Sequence, residues 1–130
     1  MRYLLDSDTC IFALRDNPKV MSRLYELHPS EWAISSLTAF ELHRGITKGL
    51  RADVARQTAD FIQMAQVLQF GENESKLAAE IEQRLKVLGK PVGVVDILIA
   101  SHALSHGLPL ITNNTKHFEQ IPGLRLENWL

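Results

Sequence analysis

Only one cysteine, Cys10, occurs among the 130 residues. That excludes an internal disulfide and fits a reducing compartment. Ile11 and Phe12 follow it, so Cys10 reads as a buried structural thiol rather than a nucleophile. No stretch reaches 18 consecutive apolar residues, so no membrane-spanning helix is expected. The opening Met1-Arg2-Tyr3-Leu4-Leu5-Asp6 meets an acid too early for a secretory signal, and a cytoplasmic location is expected. Glycine and proline are sparse, at 7 and 5. There is no repeat, low-complexity segment, glycine-rich phosphate loop or dinucleotide fingerprint. Charge is nearly balanced, with a formal net of −1. That argues against a surface given over wholly to nucleic acid, yet allows a carboxylate site beside a local basic rim. What the chain does have is 45% hydrophobic residues, enough for one core at a length near the commonest domain size. One domain over residues 1–130 is expected.

Short apolar runs alternate with helical patterns along the chain. Tyr3 to Leu5 reads as a strand that ends at Asp6-Ser7-Asp8, three residues of N-cap type. Cys10, Ile11 and Leu14 then mark a short helix stopped by Asn17-Pro18, and Pro18 opens the next helix. Trp32-Ala33-Ile34 is a second strand, closed by Ser35-Ser36. A helix is expected over Leu37–Arg44, ending at Gly45, and another over Arg51–Ala65. Val67-Leu68 reads as a brief strand. The stripe Leu77, Ala78, Ile81, Leu85 and Leu88 marks an amphipathic helix over Asn73–Leu88, ended by Gly89 and Pro91. Val94–His106 is apolar nearly all round and so reads as a central helix. Leu108–Thr112 and Leu124–Leu126 complete the strands. This alternation implies a three-layer α/β/α fold around a mostly parallel central sheet. Ligands bind such folds beyond the carboxyl ends of the strands, which points to Asp6, to the segment after Ile34, and to Thr112–Asn114.

Three acids stand at or near those exits. Asp6 ends the first strand, Glu41 lies in the helix after the second, and Asp96 lies in the first turn of the central helix. Each is set among apolar neighbours, where an uncompensated carboxylate is costly, and three converging ones would raise each other's pKa. Mg²⁺ or Mn²⁺ resolves both problems, because these cations take oxygen ligands. Taken singly, each acid has an ordinary explanation: Asp6 as a helix cap, Glu41 as a solvated helix residue, Asp96 as a first-turn acid favoured by the helix dipole.

The segments Leu4–Ile11, Ser35–Gly45, Gly93–Leu104 and Leu110–Asn114, with the closing Pro122–Trp129, resemble the PIN-domain ribonuclease toxins of the VapC type. The resemblance runs through nearly the whole chain, in order. It implies the toxin of a toxin–antitoxin pair, a Mg²⁺- or Mn²⁺-dependent endoribonuclease acting on tRNA or mRNA. It also implies a homodimer, and a small antitoxin protein that silences it by entering the active-site groove. Asp6, Glu41 and Asp96 match the family's metal-binding acids. Ser7-Asp8 stands where the family usually has Thr-Asn, adding a carboxylate. Many members carry a fourth acid before a Phe; here His117 precedes Phe118. Three acids sharing one well-held metal are therefore expected, with Asp8, Asn113 or Asn114 available to compensate. Thr112, Arg44, Lys116 and His117 are the remaining candidates for substrate contact or for a phosphate-facing rim.

His102 and His106 stand four apart, a metal-ligand spacing, but residue 103 is Ala where a His-Glu-x-x-His helix has Glu. They read as a core or groove neighbour and a helix C-terminal residue. Leu24, Leu27, Trp32 and the apolar residues from Phe61 to Val67 offer surface for a dimer or an antitoxin helix. Two other readings compete. A receiver domain fits Asp6, Asp8 and Lys90-Pro91 but needs a phosphoacceptor Asp ending a middle strand, and Asp53 and Asp60 belong to a helix instead. A non-catalytic PIN-like module that binds RNA or protein is the second.

Overall fold

The computed structural model describes residues 1–130. The strands are β1 (Tyr3–Leu5), β2 (Trp32–Ser35), β3 (Gln66–Leu68), β4 (Leu110–Ile111) and β5 (Leu126–Glu127). The helices are α1 (Ser7–Leu14), α2 (Pro18–Tyr25), α3 (Ser36–Thr47), α4 (Ala52–Met64), α5 (Glu72–Val87), α6 (Val94–Ser105) and α7 (Thr115–Phe118). All five strands pair in parallel, in the order β3-β2-β1-β4-β5. The chain builds outward from β1 to β3, then returns to add β4 on the other side of β1. The reversal of winding thus falls between β1 and β4, where open α/β sheets form a crevice.

Strand side chains alternate between the two faces, and both faces are covered. Leu4, Ala33 and Leu110 join Ile81, Leu85, Ile97, Ala100 and Phe118 in one core, beneath α5, α6 and α7. Tyr3, Leu5, Trp32, Ile34 and Ile111 join Cys10, Val20, Leu42 and Trp129 in the other, against α1 to α4. Cys10 is fully buried, as a structural thiol should be. Each fully buried Leu or Ile contributes roughly 1.5–3 kcal/mol. No helix is long and apolar enough to cross a membrane.

Four local expectations differ from the structure, the simplest being the last strand, which is Leu126–Glu127 rather than Leu124–Leu126. Helix α3 does not end at Gly45 but runs through it to Thr47. The stop is Gly49, whose φ of +100° suits glycine; Lys48 N–H and Gly49 N–H close the last turn on Arg44 and Ile46 carbonyls. A glycine inside a helix costs only about 1 kcal/mol, so one position does not break a well-packed element. Strand β4 is shorter than Leu108–Thr112, since only Leu110 and Ile111 pair with β1. The Asn114–Glu119 stretch is not a plain loop: one helical turn, α7, carries His117 and Phe118.

These glycines have opposite expected behaviour. Gly45→Ala places its Cβ at ordinary contact, 3.6 Å from Leu50 Cδ1, and should stabilise the protein by about 0.5–1 kcal/mol. Gly49→Ala meets no neighbour, yet its left-handed backbone should make it destabilising by about 1 kcal/mol. Urea melts of the two variants measure both signs.

Candidate functional site

Four carboxylates converge at the crevice. Asp6 follows β1 directly and caps α1, its Oδ1 accepting from Thr9 N at 2.8 Å. Thr112 is fully buried after β4, and its hydroxyl favours the charged form of Asp6. Thr9 Oγ1 donates to the Ile111 carbonyl at 3.0 Å, tying the cap to the neighbouring strand. Asp8, in the first turn of α1, accepts from Asn114 Nδ2. Glu41 comes from the middle of α3, and the Ser7 hydroxyl favours its charged form. Asp96 lies in the first turn of α6, where the helix dipole favours an acid, and His117 Nδ1 stands 3.4 Å from its Oδ2.

Asp6, Asp8, Glu41 and Asp96 line one cavity of about 280 Å³ with Ser7, Asn114 and His117, over a floor that includes Ile99 and Phe118. The acids are not at ease there. Burial pushes the Asp6 carboxyl up; hydrogen bonds from Thr112 and Thr9 oppose this, and the charge of Asp8 adds to it. Burial likewise raises Glu41. Ser7 and Arg44 counter the shift, while Asp8 and Asp96 reinforce it. An all-oxygen set of mutually repelling, partly desolvated carboxylates is the donor set that a hard divalent cation fits.

The other expected contributors divide. Asp8, Asn114 and His117 line the cavity, whereas Thr112 lies behind Asp6 as its support. Arg44 is exposed, its guanidinium 5.3 Å from the Phe40 ring centroid, and reaches Glu41 only by its charge. Asn113 turns away: its Oδ1 accepts from Asn128 Nδ2 at 3.3 Å. Lys116 is exposed and does not border the cavity. The helical turn explains Lys116, because it neighbours His117 on α7 and residues one position apart on a helix cannot face the same way. Sequence reasoning passed over Ser7 and Thr9; the signal was a hydroxyl on either side of Asp8 in a capping segment. Asp53 opens α4 and pairs with the Arg51 guanidinium at 2.9 Å, and Asp60 lies in the same helix, so neither ends a strand as a receiver's phosphoacceptor must.

The PIN domain family matches residues 3–124. The chain belongs to the PIN-domain family. Within it, the chain is 36% identical over 130 residues to the tRNA(fMet)-specific endonuclease VapC of Salmonella typhimurium, covering 99% of this chain and 98% of that one. Ribonuclease VapC2 of Rickettsia felis is 33% identical with the same coverage. The fold superimposes with a TM-score of 0.90 on a chain of DNA-bound VapBC from Salmonella typhimurium, at 36% identity, covering 100% of this chain and 99% of that one. VapBC2 of Rickettsia felis bound to a promoter DNA fragment gives 0.87 at 32% identity, with both chains fully covered. The three-layer α/β/α fold around a mostly parallel sheet expected from the sequence is thus present, with all five strands parallel.

The raised Asp6 carboxyl has a testable consequence for the metal-free PIN domain. Between the unfolded value near 3.9 and its higher folded value, the native state holds more protons. Stability therefore falls as pH rises through that window and stays low above it. Asn caps a helix as well as Asp does, so Asp6→Asn keeps the cap and removes the charge. At neutral pH in chelator it should be about 1 kcal/mol more stable than the parent, and the two melting curves should converge below about pH 4. A Tm gap that does not change with pH contradicts this.

Proposed function

We propose that this PIN-domain protein is a Mg²⁺- or Mn²⁺-dependent endoribonuclease, the toxin of a toxin–antitoxin pair, with Asp6, Glu41 and Asp96 as its metal-holding acids. The observation that carries the reading is the convergence of Asp6, Glu41, Asp96 and Asp8 on one cavity at the winding reversal. When bound, such a cation supplies Lewis acidity to the scissile phosphate and makes a water more acidic. The protein supplies the rest. Thr9 and Thr112 pin Asp6, Ser7 steers Glu41, and His117 abuts Asp96. Glu41, whose carboxyl burial raises above its ordinary value, is suited to accept the proton of the attacking water. The water oxygen bonds to phosphorus as the bond to the 3′-oxygen breaks; the departing 3′-oxygen takes a proton from solvent, leaving a 3′-hydroxyl and a 5′-phosphate. Positioning and charge stabilisation account for most of the acceleration in such reactions.

Transfer RNA is the proposed substrate, supported by the naming of the Salmonella relative; mRNA is the alternative that a cleavage assay on both separates. A cognate antitoxin is the proposed partner, supported by the VapBC complexes among the structural neighbours. An apolar groove of about 320 Å³ between α2 and α4 suits an antitoxin helix: Met21, Leu24, Tyr25, Trp32, Phe61 and Met64 line it. Tyr25 and Met64 are largely exposed there, as residues awaiting a partner would be. A cytoplasmic homodimer completes the proposal.

Asp96→Asn should keep the fold and lower cleavage of purified tRNA by on the order of 10³-fold or more. Chelation of the parent protein should have the same effect, reversed by Mg²⁺ or Mn²⁺. Undiminished cleavage by Asp96→Asn sinks the site assignment. A folded protein that binds RNA without cutting it under any divalent ion identifies a binding module instead.

A further inference from the structure

A second cluster of ligating groups lies apart from the acidic cavity. Glu74 in the first turn of α5, His102 near the end of α6 and His106 at its C-cap each offer one ligand atom within 4.8 Å of the others. None of the three lines the acidic cavity. His102 and His106 are four residues apart and so share a helix face; their ring centroids are 5.2 Å apart. Glu74 Oε1 stands 3.3 Å from His106 Nε2. Glu74 is itself held in place, its Oε2 accepting from Gly71 N at 3.0 Å and its Oε1 from Ser105 Oγ at 3.3 Å.

The decisive atom is His102 Nε2. The residue is completely buried, its Nδ1 lies 2.8 Å from Ser35 Oγ, and its Nε2 has no hydrogen-bond partner. A buried imidazole nitrogen left bare is uncommon and calls for a ligand. In the tautomer whose Nδ1–H donates to Ser35 Oγ, the Nε2 lone pair is free, the arrangement by which a neighbouring hydrogen bond orients a metal-binding histidine.

We propose that Glu74, His102 and His106 form a Zn²⁺ site that clasps the start of α5 to the end of α6. Two imidazole nitrogens and one carboxylate oxygen are a borderline donor set that suits Zn²⁺, with a fourth position open to water, and suits Mg²⁺ poorly. The all-oxygen cavity has the opposite preference, so the two sites sort cations by hardness. The role is structural. Ser35 Oγ also accepts from Leu37 N, capping α3, so an ion on His102 braces the helices that carry Asp96 and Glu41 without touching either.

The test uses the full chain, stripped of metal, in an Asp6→Asn/Asp96→Asn background that weakens cation binding at the acidic cavity. Calorimetric titration with Zn²⁺ should give one ion per chain and a rise in Tm. Adding His106→Gln or Glu74→Gln should weaken binding by roughly 10-fold or more and remove the rise. Both side chains lie at or near the surface, so these variants should fold where a change at buried His102 risks failure. Co²⁺ as a probe should give the strong visible bands of a low-coordinate, histidine-ligated ion, absent with His106→Gln. The proposal is overturned if the double-Asn protein takes up no Zn²⁺, or if His106→Gln and Glu74→Gln leave affinity and Co²⁺ spectrum unchanged. Loss of RNA cleavage in Asp96→Asn bears on neither result, so the two readings stand or fall separately.

Discussion

A parallel sheet cannot leave either face in water, because its strands are apolar on both sides. Here that requirement puts helices above and below five strands and sends every crossover back to begin the next strand at the same edge. All strands therefore exit at the opposite edge. Backbone amides and helix N-termini gather there, and the reversal between β1 and β4 opens the crevice. The candidate site occupies that crevice, beyond the exit ends of the strands.

Asp6 shows how tightly fold and site are joined. It ends β1, caps α1, and contributes a buried carboxylate to the crevice. Thr9, donating its N–H to Asp6 and its hydroxyl to the Ile111 carbonyl, ties the first crossover to β4, and Thr112 favours the Asp6 charge from behind. Thr9 and Thr112 only partly offset the cost of its burial, which Asp8 increases. A protein selected for stability alone would place a neutral residue here. The tension among these carboxylates is relieved by a bound cation, and that is the physical content of the metal proposal. The Glu74–His102–His106 cluster is the complementary case, where a bare nitrogen rather than surplus negative charge marks the need for an ion.

Much of this was legible in the residues. Alternation of short apolar runs with 3.6-residue stripes places nearly every element, because burial on one face or both leaves a period in the chain. The errors fell where a local rule met a packed context. Gly45 reads as a helix stop but sits inside α3, because tertiary packing outweighs about 1 kcal/mol of propensity. The single turn α7 is too short to leave a period, so His117 reads as a loop residue although it borders the acidic cavity.

The sequence by itself determined the two-faced α/β pattern, the three acids at strand exits and the family resemblance, since each is written in spacing and residue type along one segment. Only the tertiary structure decided which side chains face one another. That Asp8 and Asn114 meet across 106 positions, that Asn113 turns away to Asn128, and that Glu74 reaches His102 and His106 are facts of packing between segments. One chain read end to end carries periodicity within elements. It does not carry the angle at which two elements meet, and the site chemistry depends on that angle.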